Sequence, residues 1–324
     1  MAQELAFLEH HFLQRLTLAP GRVLERQFTV TAPDGFFLDQ SVFLVHDNES
    51  DLPCILYAMR PDVDNGWRAS NFLRFLSACE GTRGWPRLIK SITIENWSGI
   101  ITSDQGEHLR TFLNRTFAIS YQNGLRLCYQ LFALLDDMHG LGFVHRAIDF
   151  KAVRGRVNWD DEFVIGLNGF YYTSPMEPAP ECFGMRWLYS SRYVCRNERY
   201  NRIDDFISVV YVILTSQGID MFQGSVGHAM RMKQVFHQNP HAFLRDSRLH
   251  WIADVYKELV NQRKNGVFDR TSIWVHLVVA VEGCDPSSPF EWSTVSPDST
   301  DVKLDGNPVL VGAPRHEPIR VPNH

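Results

Sequence analysis

The spacing of apolar residues divides this chain into a region of strands followed by a region of helices. Between residues 23 and about 104, apolar residues alternate with polar ones or form short runs, which is typical of β-strands. From about residue 105 to residue 292 they recur at helical spacing, most clearly over residues 125–139. The pattern therefore predicts an α+β protein with a small β-rich part and a larger helical part.

Each part contains several predicted elements. The predicted strands cover residues 23–31, 41–46, 54–59 and 88–97. The predicted helices cover residues 71–79, 125–139, 204–214 and 252–260.

The two ends of the chain differ from the middle. Leu5, Leu8, Phe12 and Leu16 form one stripe of a predicted amphipathic helix, which Pro20-Gly21 ends. Residues 293–324 are rich in Pro, Ser, Asp and Asn, which predicts a disordered tail. We therefore expect a helical extension over residues 1–22, a domain over residues 23–292 and a tail.

The composition restricts the kinds of partner and the cellular location that we expect. The chain has 324 residues, of which 44% are hydrophobic, and its net charge of -5 argues against a broad basic face for nucleic acid or membrane. The six cysteines form no Cys-x-x-Cys pair, which disfavours a disulfide framework and a zinc site. The sequence has no signal-peptide pattern and no apolar run long enough to span a bilayer. We expect a cytoplasmic protein, with a nuclear location left open.

One segment carries the strongest motif. Residues 143–152 read Phe-Val-His-Arg-Ala-Ile-Asp-Phe-Lys-Ala. They resemble the protein kinase catalytic loop, His-Arg-Asp-Leu-x-x-x-x-Asn, whose Asp positions the substrate hydroxyl and whose Asn holds magnesium. Ala147 stands at the Asp position and Ala152 at the Asn position. His145 and Arg146 match the residues that brace this loop.

Three further segments, in the expected order, resemble signatures of the casein kinase 1 group. Residues 183–191 resemble Gly-Thr-x-Arg-Tyr-Ala-Ser, residues 204–208 resemble Asp-Asp-Leu-x-Ser, and residues 285–292 are similar to the Asp-Pro-Phe-Asp-Trp motif of the tau-tubulin kinase branch. The resemblance implies a bilobal kinase-like fold, with an N-lobe over about residues 23–104 and a C-lobe over about residues 105–292. It also implies that Asp205 holds the backbone amides of the loop; the simpler alternative is that Asp204 and Asp205 only cap a helix.

The same resemblance implies that the transfer chemistry is absent. Of the three glycines expected in a loop at residues 35–42, only Gly35 is present, while Phe37 and Gln40 occupy the other positions. The degenerate positions are Arg60 for the strand lysine, Phe72 for its glutamate partner, Ala147, Ala152, and Gly166 for the Asp of Asp-Phe-Gly. Loss of several charged groups predicts a catalytically dead kinase homologue with no cofactor and no metal.

A basic pocket that binds phosphorylated substrates in this group has matching residues here. They are Arg186, Gln223, Gly224 and Lys233. Arginine, lysine and a backbone amide together form a plausible anion site. The alternative is that Arg186 and Lys233 are ordinary surface cations.

We therefore expect a pseudokinase that binds a protein partner as a scaffold or regulator, with a phosphorylated or acidic segment as the candidate ligand. One alternative is an atypical serine/threonine kinase with residual ATP binding, which would use Asp149 and Arg60. Another is a regulator of an active relative, acting by dimerisation or by substrate competition. The sequence does not identify the partner or the oligomeric state.

Overall fold

The computed structural model describes residues 16–37, 40–61, 66–109, 111, 119–157, 163–177, 188–219, 221–222 and 225–290. The chain divides into two units, Met1–Phe290 and Glu291–His324, and the second unit lies outside the described residues. Most of the predicted N-terminal helix and the whole predicted tail therefore lie outside the described residues. Residues 16–19 are described, and they are not helical.

The first part of the described chain is a six-stranded antiparallel sheet with one helix. Its strands are β1 (Val23–Leu24), β2 (Phe28–Phe37), β3 (Gln40–Asp47), β4 (Leu52–Met59), β5 (Leu88–Ile94) and β6 (Trp97–Ser103), in the order β1-β2-β3-β4-β6-β5. The helix α1 (Trp67–Ala78) lies between β4 and β5 in the chain. The predicted strands 41–46 and 54–59 and the predicted helix are confirmed. A turn at residues 25–27 divides the predicted strand 23–31 into β1 and β2, a turn at residues 95–96 separates β5 from β6 within the predicted strand 88–97, and the rest of β6 was not predicted.

Both faces of this sheet are covered by apolar side chains. Alternate residues of a strand face opposite sides, so β4 contributes to two cores. Leu56 belongs to a buried cluster with residues of β2, β3 and β6, and Leu16 joins that cluster from the preceding chain. On the other face, the ring of Tyr57 makes an edge contact with Phe72 of α1, with centroids 5.2 Å apart.

The second part is mainly helical. Its helices are α2 (Tyr121–Gly140), α3 (Arg192–Cys195), α4 (Arg202–Ser216), α5 (Val226–Gln238), α6 (Pro240–Phe243), α7 (His250–Asn265) and α8 (Arg270–Val278). Every residue of α4 from Ile203 to Leu214 is buried, as expected for a helix that packs on all sides. No helix in the described ranges is both long and apolar enough to cross a membrane.

The helical part also contains short strands that the spacing of apolar residues did not predict. They are β7 (Glu107–His108), β8 (Phe143–Val144), β9 (Val153–Val157), β10 (Phe163–Leu167) and β11 (Ser174–Pro175), and they form one sheet of order β10-β9-β7 and a β11-β8 pair. Strands of two residues are too short to show a period, and β9 carries Arg154 and Arg156. These strands matter because residues 145–152 connect β8 to β9.

Candidate functional site

A buried carboxylate on α4 fixes the loop of residues 145–152. Asp205 has no exposed surface, and it accepts hydrogen bonds from the backbone N–H groups of His145 (2.9 Å) and Arg146 (2.8 Å). The hydroxyl of Tyr200 donates to it at 2.6 Å, and Nε2 of His139 lies 2.9 Å from Oδ2. Asp205 therefore joins α2, α4 and the loop in one hydrogen-bonded network.

The same network keeps Asp205 ionised. Burial by itself would raise the pKa of its carboxyl, but the hydrogen bonds from His139 and from the hydroxyl of Tyr200 hold that pKa below its ordinary value. A carboxyl with a depressed pKa stabilises the fold at neutral pH, and this contribution is lost as the pH falls through the depressed pKa.

The preceding residue, Asp204, has the capping role that was considered for both aspartates. Its side chain accepts from the backbone N–H of Asn201 in a capping box, and Ser191 donates to it at 2.5 Å. Burial raises the pKa of Asp204 to about 6, although Arg263 nearby lowers it. The two neighbouring carboxylates therefore differ: Asp204 caps α4, whereas Asp205 holds the loop.

Arg146 has a backbone conformation that most residues avoid. Its φ angle is 70°, in the left-handed region, where a non-glycine residue costs about 1–2 kcal/mol. Two contacts retain this conformation: its N–H donates to Asp205, and its guanidinium donates to the hydroxyl of Ser174 on β11 at 3.4 Å. The neighbouring structure therefore imposes the shape of the loop at this residue.

His145 connects the loop to the chain that leaves β10. Its ring has no exposed surface, and burial lowers its pKa, which favours the neutral form. Nε2 lies 2.9 Å from the carbonyl oxygen of Asn168, and Nδ1 lies 3.3 Å from the N–H of Ala147. These partners assign the proton to Nε2, which donates to Asn168, while Nδ1 accepts from Ala147.

The middle of the loop is apolar and holds its only acidic side chain in a turn. Ala147 and Ala152 are buried. Asp149 is half-buried, and its Oδ1 accepts from the N–H groups of Lys151 and Ala152, both at 2.8 Å. Burial raises the pKa of Asp149 above its ordinary value, although the hydrogen bonds from these two N–H groups lower it. This carboxylate therefore stabilises the turn.

The chain after β10 brings a glycine against the loop, but that glycine is not Gly166. A Cβ atom on Gly166 would lie 3.0 Å from Oε1 of Gln105 and 3.3 Å from the carbonyl oxygen of Gly84. A Cβ atom on Gly169 would lie 3.5 Å from Cβ of Ala152 and 4.0 Å from Cε1 of His145. Gly169, three residues further along, is therefore the neighbour of the loop.

The sheet side of this region is aromatic where an ion pair would be expected in a kinase. Phe72 is fully buried on α1, and its ring stacks on that of Phe170 at 5.1 Å. Phe170 in turn lies 5.4 Å from the ring of His145. Arg60 follows β4 directly and is half-buried. Phe72 offers no carboxylate to that guanidinium.

Of the residues predicted to bind a phosphate, only Lys233 is described, because Arg186, Gln223 and Gly224 lie outside the described residues. Lys233 is 1% exposed, and its Nζ donates to the carbonyl oxygen of Ser190 at 2.6 Å and lies 3.7 Å from Sγ of Cys195. Burial lowers its pKa to about 8. Lys233 is therefore an interior cation, and not an ordinary surface residue.

Sequence reasoning found Asp205 and missed the residues around it. Tyr200 lies outside every motif, so a single sequence gives no signal for its hydrogen bond. His139 lies at the end of α2, on the buried side. Comparison with known proteins finds neither a family model nor a curated protein that matches the chain.

We expect replacement of Asp205 by asparagine to destabilise the protein by about 3 kcal/mol or more, because an amide cannot accept from all of these donors and introduces N–H groups of its own. Chemical denaturation of the full chain measures this free energy of unfolding. Asp51→Asn is the matched control, since Asp51 is an exposed carboxylate paired with His46. An Asp205→Asn variant as stable as the control would contradict the bracing role.

Proposed function

We propose that this chain is a pseudokinase of the casein kinase 1 type that acts as a protein-binding scaffold or regulator. One observation carries the proposal: Asp205 holds the backbone of a loop whose two reactive positions are Ala147 and Ala152. A loop that had lost its purpose would have no reason to retain a strained Arg146 and a buried carboxylate. The retained shape points to binding rather than to transfer.

The arrangement of the two parts supports a kinase-like architecture. A small antiparallel sheet with one helix precedes a larger helical part, and the loop between β8 and β9 carries the catalytic-loop motif. The fold supports function only by analogy, so the positions of individual residues must carry the assignment.

The residues that contact the loop support a different alignment of the magnesium-binding Asp. In a kinase, the Asp of Asp-Phe-Gly and the Asn of the catalytic loop hold magnesium together. Gly169 is the residue that lies against Ala152, and Phe170 follows it and packs on His145 and Phe72. We therefore assign the metal position to Gly169 instead of Gly166. Either assignment puts glycine where a carboxylate would be needed.

The atypical-kinase alternative has less support. It requires Asp149 to act as a base, but that carboxylate already accepts from two backbone N–H groups. On α1, the residue aligned with the kinase glutamate is the buried Phe72. Phosphoryl transfer depends on positioned phosphates and metal charges, and these positions supply neither.

Phosphorylated or acidic segments are the partner chemistry that we propose for the second part of the chain. The ammonium of Lys233 supports this, because a buried lysine is uncommon and places a positive charge inside this part of the chain, where its Nζ donates to the carbonyl oxygen of Ser190 and lies 3.7 Å from Sγ of Cys195. Lys233 also lies 5.6 Å from the ring centre of Phe222, directly before Gln223 and Gly224.

Thermal unfolding with ATP and magnesium tests the loss of catalysis. A ligand at a hundred times its Kd stabilises a protein by about 2.7 kcal/mol, which is easily seen as a rise in Tm. We expect no rise for the full chain. A magnesium-dependent rise that Arg60→Met abolishes would contradict the proposal and favour the atypical kinase.

Titration with a phosphoserine peptide and its unphosphorylated twin tests the pocket. We expect the phosphopeptide alone to bind, and Arg186→Ala to weaken it about tenfold through loss of a charge-assisted hydrogen bond. Arg22→Ala is the control, because Arg22 is a partly exposed arginine paired with Glu95. Equal binding by both variants, or no binding by the wild type, would refute the pocket.

A further inference from the structure

A second charged cluster joins the six-stranded sheet to the sheet of β7, β9 and β10. Arg154 of β9 donates through Nη2 to Oδ2 of Asp34 on β2, and both side chains are at least nine-tenths buried. Nε2 of His108, on β7, lies 3.4 Å from Oδ1 of the same carboxylate. Asp34 and Arg154 are 120 residues apart in the chain, so this contact connects its two parts.

The backbone of β2 directs Asp34 toward this contact. The pairing of β2 with β3 shifts between Pro33 and Gly35, which leaves Asp34 outside the regular ladder. Such bulges re-aim a side chain and are common beside functional sites. Asp34 also directly precedes residues 35–42, the segment aligned with the loop that covers nucleotide phosphates in kinases.

The remaining polar groups of the cluster are satisfied by its surroundings. Nη1 of Arg154 donates to the carbonyl oxygen of Gly106 at 3.0 Å. With the side-chain amide of Asn168 turned to satisfy its neighbours, its oxygen accepts from Nε of Arg154 at 3.1 Å. Nδ1 of His108 lies 2.8 Å from the carbonyl oxygen of Lys151, at the end of the candidate loop. The guanidinium of Arg154 therefore donates to acceptors on Asp34, Gly106 and Asn168, which belong to three different segments of the chain.

The positively charged Arg154 stabilises the ionised form of Asp34. Burial would raise the pKa of Asp34, but His108 and Arg154 hold it below its ordinary value, so the carboxylate is ionised at neutral pH. A buried ion pair is no more stabilising than well-packed apolar residues, but removing one partner is costly. Such a pair is therefore well suited to hold two segments in one arrangement.

We propose that the Asp34–Arg154 ion pair is a latch that holds the β2–β3 hairpin against Gly106 and closes the space between the two sheets. This inference deepens the proposed function and rests on it, because in a kinase-like fold a nucleotide would lie beneath that hairpin. The side chains of Asp34 and Arg154 would then obstruct the nucleotide position, in addition to the loss of the metal ligands.

Hydrogen–deuterium exchange of the full chain tests the latch. In Asp34→Asn we expect amides of Phe28–Asp47 to exchange about tenfold faster than in the wild type, because the hairpin opens locally. Amides of Leu88–Ser103, in the same sheet, should keep their rates. Glu25→Gln, which removes an exposed ion pair with Lys90, should behave as the wild type.

Chemical rescue provides a second variant. In Arg154→Ala the acceptors of Asp34, Gly106 and Asn168 remain, so added methylguanidinium should restore slow exchange of the hairpin, whereas methylammonium should not. An unchanged hairpin in Asp34→Asn, or a lack of rescue in a folded Arg154→Ala, would overturn the latch. These results concern the latch alone. Binding of ATP to the wild type would instead contradict the proposed function, so the two failures are distinguishable.

Discussion

The structure around the candidate site depends on one buried carboxylate. Asp205 accepts hydrogen bonds from two backbone N–H groups of the loop. Its carboxylate also contacts the side chains of Tyr200 and His139. An ionised group without exposure is tolerated only when its hydrogen-bonding capacity is met. Each partner therefore constrains the others, and the left-handed Arg146 is a consequence. The shape of the loop is set by this network rather than by its own sequence.

The loop held in this way has an apolar centre. Ala147 and Ala152 are buried, Asp149 accepts from the turn that contains it, and Gly169 is the neighbour of Ala152. On the sheet side, the ring of Phe170 stacks on that of Phe72 and contacts the ring of His145. Apolar packing between these rings joins the sheet side to the loop. The Asp34–Arg154 ion pair is a second buried connection between the six-stranded sheet and the strand that follows the loop.

Much of the fold was accessible from spacing alone, because long helices such as α2 and α4 carry a clear apolar period. Motifs also identified the pairing of the loop with Asp205. Other features depend on contacts that no single sequence displays. The contact of Gly169 with Ala152 is one of them, because the motif alignment pointed to Gly166 and a single sequence does not show which residue after β10 reaches the loop. Lys233 shares a helix face with the buried Ala229 and Phe236, a signal of burial that its charge obscured.

The central claim is that the buried carboxylate of Asp205 fixes the backbone of the loop. Amide exchange at His145 and Arg146, followed at single-residue resolution by NMR in the full chain, tests it most directly. If the carboxylate holds both N–H groups, they exchange only when the protein unfolds globally, at the rate of the α4 core amides. Exchange at the rate of an exposed loop would show that the network does not hold the loop, and would contradict the account.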